Sequence, residues 1–292
     1  MSHWQIGDIA VHRIDEIDLP PATGPWLLPG ATPEVVAGFD WLTPSFAAPD
    51  GHLRLSVHTF ALEIAGLRVL VDTGIGNGKT RANPAWNDLD TAYLERLAAA
   101  GFASESIDHV ILTHLHADHV GWNTRPGPGG SWLPTFPNAR YVTSAAEDAH
   151  WSQVQDMEES RRLMLDDSVE PVRAHGLLDL VDVEEGGTRL LPGLTLVPMP
   201  GHTPGQIAVR LDSGAHSAVI TGDCVHHPVQ LADPALCSCV DIDPVAAVRS
   251  RTRLLDELAD TDTLLLGSHF PPPTAGLVRR DGDGFRLVPA RH

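Results

Sequence analysis

The feature that most constrains this chain is a short apolar run, residues 107–114, which leads directly into the loop THLHADHVGWN. The run has the length and composition of a buried strand. The loop then places three histidines and one aspartate between positions 114 and 119. Functional loops at the ends of rigid strands are typical of α/β proteins. The pattern therefore predicts an α/β fold that presents metal-ligating or catalytic side chains at this strand end.

Three later stretches, PGHTPG, ITGDC and LLLGSH, also follow apolar runs with a glycine and then a residue that can bind a metal. They offer His202, Asp223 and His269, and a glycine beside each lets the backbone turn sharply. The complete set of candidate metal ligands is His114, His116, Asp118, His119, His202, Asp223 and His269. Seven donors are too many for one tetrahedral zinc ion and fit two divalent ions. Imidazole and carboxylate donors favour Zn²⁺, with Mn²⁺, Co²⁺ and Fe²⁺ as open alternatives.

Strand and helix patterns occur in two series along the chain. Residues 53–64 and 67–72 have strand patterns and precede a helical pattern at 90–101, while short strands in 188–223 precede an amphipathic helix at 243–260. The same patterns predict a helix at 145–165, a buried strand at 263–269 and an edge strand at GFRLVP. Two such series predict an αββα sandwich of two mixed β-sheets flanked by helices.

The chain shows no composition break, so we expect a single domain over residues 1–292. Residues 1–50 are rich in proline and glycine and are predicted to form a loop-rich extension. Long ordered loops of this kind commonly serve as lids or contacts, so the extension could cover a site or join a homodimer.

Composition excludes several classes of partner. The net charge is −18 and no basic run occurs, which argues against binding to nucleic acid or to an anionic membrane. No run of eighteen apolar residues occurs, so no membrane span is expected. The first residues lack the pattern of a signal peptide and the chain has three cysteines, which together predict a cytoplasmic protein. The role of Cys237 and Cys239 stays open.

The motifs HLHADH, GHTPG, GD and a final SH resemble, in content and order, those of the metallo-β-lactamase fold hydrolases. The resemblance extends from VDTG at residue 71 to His269, about two thirds of the chain. It implies one metal held by His114, His116 and His202, a second held by Asp118, His119 and His269, and Asp223 as the bridge between them. It also implies that Asp72 hydrogen-bonds a metal-bound histidine, which would fix the imidazole tautomer.

Within that superfamily the chain most resembles the lactonase and methyl parathion hydrolase-like group. Flavodiiron relatives usually have a glutamate where His116 stands, and the main zinc β-lactamases have a cysteine ligand where Asp223 stands. Homoserine-lactone lactonases commonly have a tyrosine three residues after the bridging aspartate, where this chain has His226. That histidine is more similar to the phosphotriesterase-like members of the group and argues against an acyl-homoserine lactone. The resemblance to the group as a whole implies a lactone or carboxylic ester as substrate, and a phosphotriester (organophosphate) is the open alternative.

The resemblance implies hydrolysis by a metal-bridging hydroxide, with two residues assigned to catalysis. Asp118 would accept the proton of the nucleophile, and His226 would hydrogen-bond the substrate oxygen or the leaving group; His227, beside it, is the alternative to His226. Trp122, Trp26 and Phe46 are predicted to line an apolar substrate pocket, with a role as ordinary core aromatics as the alternative. A different class also stays open, namely a non-catalytic scaffold that binds metal or senses a ligand.

Overall fold

The computed structural model describes residues 2–290, and these residues form two compact units. The first unit comprises Ile9–Ile17 and Val57–Asp182, and the second comprises the other described residues. The expectation of one domain over 1–292 includes residues 1, 291 and 292, which lie outside the described residues, and it stays a prediction.

The strands supply two large sheets and one small hairpin. In chain order they are β1 (His3–Ile6), β2 (Ile9–Asp18), β3 (Ser56–Ile64), β4 (Leu67–Val71), β5 (His109–Ile111), β6 (Thr124–Pro126), β7 (Trp132–Pro134), β8 (Arg140–Ser144), β9 (Leu178–Val181), β10 (Thr188–Leu191), β11 (Leu194–Pro198), β12 (Ile207–Ser213), β13 (His216–Ile220), β14 (Leu264–Leu266), β15 (Ala275–Asp281) and β16 (Gly284–Pro289).

The α-helices lie between these strands. They are α1 (Thr23–Leu27), α2 (Pro33–Ala37), α3 (Tyr93–Ala99), α4 (Ala145–Gln153), α5 (Glu159–Ser168), α6 (Glu170–Ala174), α7 (Val229–Ala232) and α8 (Pro244–Leu258). Within residues 2–290, each helix is too short or too polar to cross a lipid bilayer.

In the first unit the strand order is β2-β3-β4-β5-β8-β9. Strands β4, β5, β8 and β9 are parallel neighbours, while β3 pairs antiparallel with β4. The carboxyl ends of β4 and β5 therefore lie side by side, and the chain leaves them as the loops that begin at Asp72 and Leu112. This arrangement positions the histidine-rich loop next to the VDTG turn.

In the second unit strands β10 to β16 are neighbours in chain order. All of these pairs are antiparallel except β13 and β14, which are parallel and are joined through α8. A parallel pair needs such a crossover because its two strands start at the same edge. Strand β16 ends the sheet, so the expectation of an edge strand at GFRLVP is confirmed. Two large mixed sheets with helices also confirm the predicted fold class.

The expectation that residues 1–50 lack regular elements is wrong at the N-terminus, where β1 and β2 form. The sequence of β2, IAVHRIDEID, buries most of its apolar positions, as an amphipathic strand does. Gly7 lies between the two strands at φ +58°, and a Cβ there would be 2.5 Å from the backbone oxygen of Ser213. The stretch after β2 is loop-rich and contains the short helices α1 and α2.

The helix expected at 145–165 is in fact two helices, α4 and α5. The chain between them has Asp156 at φ +53°, a backbone conformation that no α-helix contains. The amphipathic helix α8 forms as expected, and its N-cap Asp243 accepts a 3.0 Å hydrogen bond from the backbone nitrogen of Ala246.

Candidate metal centre

Asp72 organises the ligand-type residues of the first unit. It follows β4 in the left-handed region, at φ +59°. Its Oδ1 accepts the backbone N–H of Thr113 at 2.8 Å, and its Oδ2 accepts the Thr113 hydroxyl at 2.9 Å and Nδ1 of His119 at 2.8 Å. The carboxylate thus fixes the beginning of the histidine-rich loop and the tautomer of His119, which keeps its lone pair on Nε2.

The same carboxylate also orients His114 through Thr113. Because the Thr113 hydroxyl donates its proton to Asp72, its oxygen accepts from Nδ1 of His114, 3.0 Å away. The lone pair of His114 is then on Nε2. That atom lies 3.0 Å from Nδ1 of His116, so two imidazole nitrogens of the His-x-His motif converge on one point.

The second pair of the loop converges in the same way. Oδ1 of Asp118 lies 3.8 Å from Nε2 of His119, the nitrogen that Asp72 leaves with its lone pair. A carboxylate oxygen and an imidazole nitrogen at this distance can bind one cation. The loop therefore presents two pairs of converging donors, one from His114 and His116 and one from Asp118 and His119.

A buried glutamate that the sequence did not identify holds the backbone of the loop. Oε1 of Glu147, at the start of α4, accepts the backbone N–H of Leu115 at 3.0 Å and the indole N–H of Trp151 at 2.7 Å. The Trp151 ring lies 5.8 Å from the ring of His116. Glu147 thus fixes the residue between the two histidines of His-x-His.

Glu16 of β2 is a second buried carboxylate that the sequence did not identify. It accepts the backbone N–H groups of Ile75 at 2.6 Å and Gly76 at 3.0 Å, and the indole N–H of Trp122 at 2.7 Å. Burial raises the pKa of Glu16 to about 7, although these three hydrogen bonds act to lower it. A Cβ at Gly74 would be 2.1 Å from this carboxylate, which explains the glycine in VDTG.

In the second unit, His202 and His269 are also oriented through Nδ1. Nδ1 of His202 donates to Oδ1 of Asp241 at 3.0 Å, and Nδ1 of His269 donates to the carbonyl oxygen of Ser56 at 3.0 Å. Asp241 is itself fixed by the backbone N–H of Ser238 at 2.8 Å. The sequence did not identify Asp241, because it lies 39 positions from the histidine that it orients.

Asp223 lies among three imidazoles of the second unit. Its Oδ2 is 3.3 Å from Nε2 of His202, and its Oδ1 is 3.1 Å from Nε2 of His269. Nε2 of His226 is 3.2 Å from Oδ2. The two oxygens of one carboxylate therefore face two different candidate ligands, which is the arrangement that a bridging carboxylate requires.

The neighbouring histidines 226 and 227 differ in their surroundings. His227 donates from Nε2 to the carbonyl oxygen of Phe46 at 2.8 Å and accepts the backbone N–H of Val229 on Nδ1 at 3.0 Å. Burial lowers the pKa of His227 to about 4, so it is neutral and holds backbone groups together. His226 lies over His202 and His269, with ring distances of 4.8 and 6.1 Å, and it is the one whose ring faces the candidate ligands.

The three predicted pocket aromatics occupy different environments. Trp122 is buried and stacks on Tyr93 with a ring distance of 5.2 Å, and Phe46 is buried against Phe270. Trp26 is 54% exposed. Trp122 and Phe46 thus contribute to the packing of their own units, and the assignment of all three to a substrate pocket stays a prediction.

The donor chemistry of the chain fits divalent metal ions. The candidate ligands are imidazoles and carboxylates, of which five are buried and two, His116 and Asp118, are partly buried. Four of the imidazoles have Nδ1 committed to a carboxylate, a hydroxyl or a carbonyl oxygen, in His114, His119, His202 and His269. Hydrogen bonds of this type orient metal-binding histidines and raise their basicity. Burying so many imidazoles is costly unless hydrogen bonds or a bound cation compensate them.

The motif order and the fold both match known proteins. The family model described as the metallo-beta-lactamase superfamily matches residues 52–269, about three quarters of the chain. A probable metallo-hydrolase of Mycobacterium bovis is 26% identical over 196 residues, which cover 60% of this chain and 58% of the relative. An N-acyl homoserine lactonase of Agrobacterium fabrum is 24% identical over 269 residues, which cover 86% of this chain and 92% of the relative. The match to the mycobacterial relative thus spans less than two thirds of that protein.

Solved structures share the fold over nearly the whole chain. A dizinc quorum-quenching lactonase in complex with a product aligns with a TM-score of 0.80 at 22% identity, covering 100% of this chain and 97% of its own. A hydrolase described as AbOPH, in the beta lactamase superfamily, aligns with a TM-score of 0.78 at 22% identity, covering 99% of this chain and 97% of its own. At these identities the likeness establishes a shared fold.

Proposed function

The chain belongs to the metallo-beta-lactamase superfamily, and on that premise we propose that it is a metal-dependent hydrolase that cleaves lactones or carboxylic esters. The observation that carries the proposal is the shared orientation of four of the five candidate ligand imidazoles, which keep Nε2 for a cation while Nδ1 donates a hydrogen bond. The preference for lactones is supported by a relative and a structural neighbour that are both described as lactonases.

We assign two divalent cations to the seven candidate ligands, with Zn²⁺ favoured by the donor chemistry and by the dizinc neighbour. The first cation would be held by His114, His116 and His202, the second by Asp118, His119 and His269, and Asp223 would bridge them. The separate contacts of the two Asp223 oxygens with His202 and His269 support the bridging role. Asp72 and Asp241 would act as positioning residues, since each holds the Nδ1 of a ligand.

The chain's own residues would divide the remaining work of hydrolysis. The bound ions would supply Lewis acidity, which brings the pKa of water toward neutrality. Asp118 would accept a proton on the carboxylate oxygen that does not bind a cation. His226 would donate a hydrogen bond from a ring nitrogen to the substrate oxygen or to the leaving group, a contribution that is typically about 10²-fold or more in rate.

The proposal is tested by measuring kcat/KM for a panel of lactones and aryl esters. We expect turnover that a chelator abolishes and added Zn²⁺ restores. His116→Ala should lose at least about 100-fold in kcat/KM, because it removes one of two converging nitrogens. The exposed His216→Ala is the matched control and should behave as the unaltered protein.

Two outcomes would contradict the hydrolase proposal. Turnover that is insensitive to chelator and to His116→Ala would place the chemistry elsewhere. Metal binding without turnover of any lactone or ester would favour the alternative of a ligand-sensing scaffold. An aryl phosphotriester belongs in the same panel, because His226 lies at the position where homoserine-lactone lactonases commonly have tyrosine, 3.2 Å from Asp223.

A further inference from the structure

Arg161, on the first turn of α5, stacks on an aromatic ring of α4. Its Cζ lies 4.3 Å from the ring centroid of Trp151. The side chain is half-buried, and within residues 2–290 its guanidinium makes no hydrogen bond and no ion pair. Burial lowers the pKa of Arg161, and the charges of Glu158 and Glu147 oppose that shift without reaching ion-pair distance. The cation is therefore partly desolvated, and its five N–H donors have no acceptor among the described side chains and backbone groups.

Trp151, the ring on which Arg161 stacks, is fixed to the histidine-rich loop. Trp151 donates its indole N–H to Glu147, and the same glutamate oxygen accepts the backbone N–H of Leu115. Leu115 separates His114 from His116, and the Trp151 ring lies 5.8 Å from the His116 ring. One aromatic ring thus separates the guanidinium from a candidate metal ligand.

Other arginines that have no side-chain partner among residues 2–290, such as Arg54, Arg125 and Arg249, are exposed, whereas Arg161 is half-buried. The chain has 38 acidic residues against 20 basic ones, so carboxylates that could pair with a buried arginine are plentiful. On the same part of the fold Arg173 pairs with Asp148 and Glu170. A stacked, unpaired guanidinium keeps its planar fork preorganised, and that fork matches a carboxylate in two parallel hydrogen bonds.

We propose that Arg161 is a specificity residue that binds a carboxylate carried by the substrate, some distance from the bond that is cleaved. The inference rests on the proposed hydrolase function and deepens it, because it names an anionic lactone or half-ester as the substrate class. Within residues 2–290 neither glutamate forms an ion pair with the guanidinium: Oε1 of Glu147 accepts from Leu115 and Trp151, and Glu158 lies at the exposed start of the helix.

The first test compares 4-nitrophenyl half-esters of succinic, glutaric and adipic acid with 4-nitrophenyl esters of monocarboxylic acids of equal length. The measured quantity is the ratio of kcat/KM for each charged ester to that for its neutral match. We expect Arg161→Gln to lower this ratio roughly 10- to 100-fold for at least one length, the size of a lost charge-assisted contact. Arg162→Gln, on the adjacent position of the same helix, should leave the ratio unchanged.

The second test measures binding without turnover. The metal-loaded protein is titrated calorimetrically with succinate, glutarate and adipate, and with the monocarboxylates of matching length. The difference in affinity within each pair measures the contribution of the second carboxylate. We expect at least one dicarboxylate to bind more tightly than its match, and this advantage to disappear in Arg161→Gln. Arg161→Lys keeps the positive charge but lacks the planar guanidinium, so it should recover only part of the difference in affinity. It also provides a second variant for the test if Arg161→Gln fails to fold.

The inference is overturned if no dicarboxylate is preferred by the unaltered protein, or if Arg161→Gln leaves the preference intact. Equal losses on charged and neutral esters would also overturn it, because they would assign Arg161 to support of the loop. If neither kind of ester is hydrolysed while the dicarboxylate preference depends on Arg161, the proposed hydrolase function fails and the binding inference survives.

Discussion

At the scale of single residues, the geometry of the candidate centre depends on buried carboxylates that accept hydrogen bonds from the ligand imidazoles and from the loop backbone, as much as on the ligands themselves. Asp72 and Asp241 each hold the Nδ1 of an imidazole, and Glu147 holds the backbone between two of them. Preorganised donors of this kind do not need to be ordered when a cation or a substrate arrives. Glu16 contacts no candidate ligand through these bonds, but it fixes the turn after β4 and the side chain of Trp122.

Glu16 predicts a specific dependence of stability on pH. Burial raises its pKa from 4.5 to about 7, so between these values the folded chain holds a proton that the unfolded chain has lost. This contribution to stability is complete below pH 4.5 and is lost as the pH rises through about 7. We expect the free energy of unfolding of the unaltered chain, relative to Glu16→Gln, to fall by about 3 kcal/mol between pH 4.5 and 8.

Urea unfolding of the metal-free forms at several pH values measures this difference, and the shared titrations of other groups cancel in it. Glu63→Gln, at an exposed position of β3, is the control and should run parallel to the unaltered chain. A relative free energy that stays constant, or that rises with pH, would show that Glu16 is ionised in the folded state at acid pH.

The sequence predicted those candidate site residues that lie together in short motifs. It did not predict residues whose contacts are with distant parts of the chain. The loop from His114 to His119 could be found because its ligand-type residues form one short motif. His202, Asp223 and His269 could be found because each follows a glycine at the end of an apolar run. Glu16 contacts residues 59 to 106 positions away, and nothing near it in the sequence indicates those contacts. His226 and His227 could not be separated from the sequence, because the difference is the acceptor that His227 finds on Phe46.

At the scale of elements, a buried charge cluster fixes the end of α5 to the loop after β4. Asp167 accepts from Nη1 of Arg81 at 2.6 Å and lies 3.3 Å from Nζ of Lys79. Lys79 also donates to the hydroxyl of Thr124 at 2.8 Å and lies 3.8 Å from the ring centroid of Trp132. Burial lowers the pKa of Lys79 to about 8, although Asp167 acts to raise it. One carboxylate thus compensates two buried cations.

Removing that carboxylate should destabilise the first unit. Asp167→Asn leaves Lys79 and Arg81 buried without an opposite charge, a change that typically costs ~3–5 kcal/mol. We expect a loss of this size in the free energy of unfolding by urea. Asp166→Asn, the exposed neighbour on the same helix, should change it by less than ~0.5 kcal/mol. Equal effects of the two substitutions would show that the cluster contributes no net stabilisation.

Helices and strands were predicted well where the sequence has a continuous apolar face and a clear end signal. Helix α8 has a capping aspartate and a clear apolar face, and it forms within one or two residues of the expected bounds. The division between α4 and α5 was missed, because the positive φ at Asp156 has no signal in the surrounding polar residues. Strands β1 and β2 were not predicted, because the proline-rich segment after them dominates the composition of the first fifty residues.

At the scale of the whole molecule, the fold class followed from two series of strands and from the order of the motifs. Two mixed sheets, one with four adjacent parallel strands and one with a single parallel pair, carry the candidate ligands at or beyond their strand ends. Residue order alone does not determine substrate, and the native metal depends on supply as well as on ligands. The homodimer, the cytoplasmic location and the roles of Cys237 and Cys239 stay predictions.

The central claim is that seven side chains of this chain hold two divalent ions. Elemental analysis of the purified protein, after dialysis against metal-free buffer, tests it most directly. We expect about two transition-metal ions per chain, with zinc favoured. Fewer than one ion per chain would contradict it.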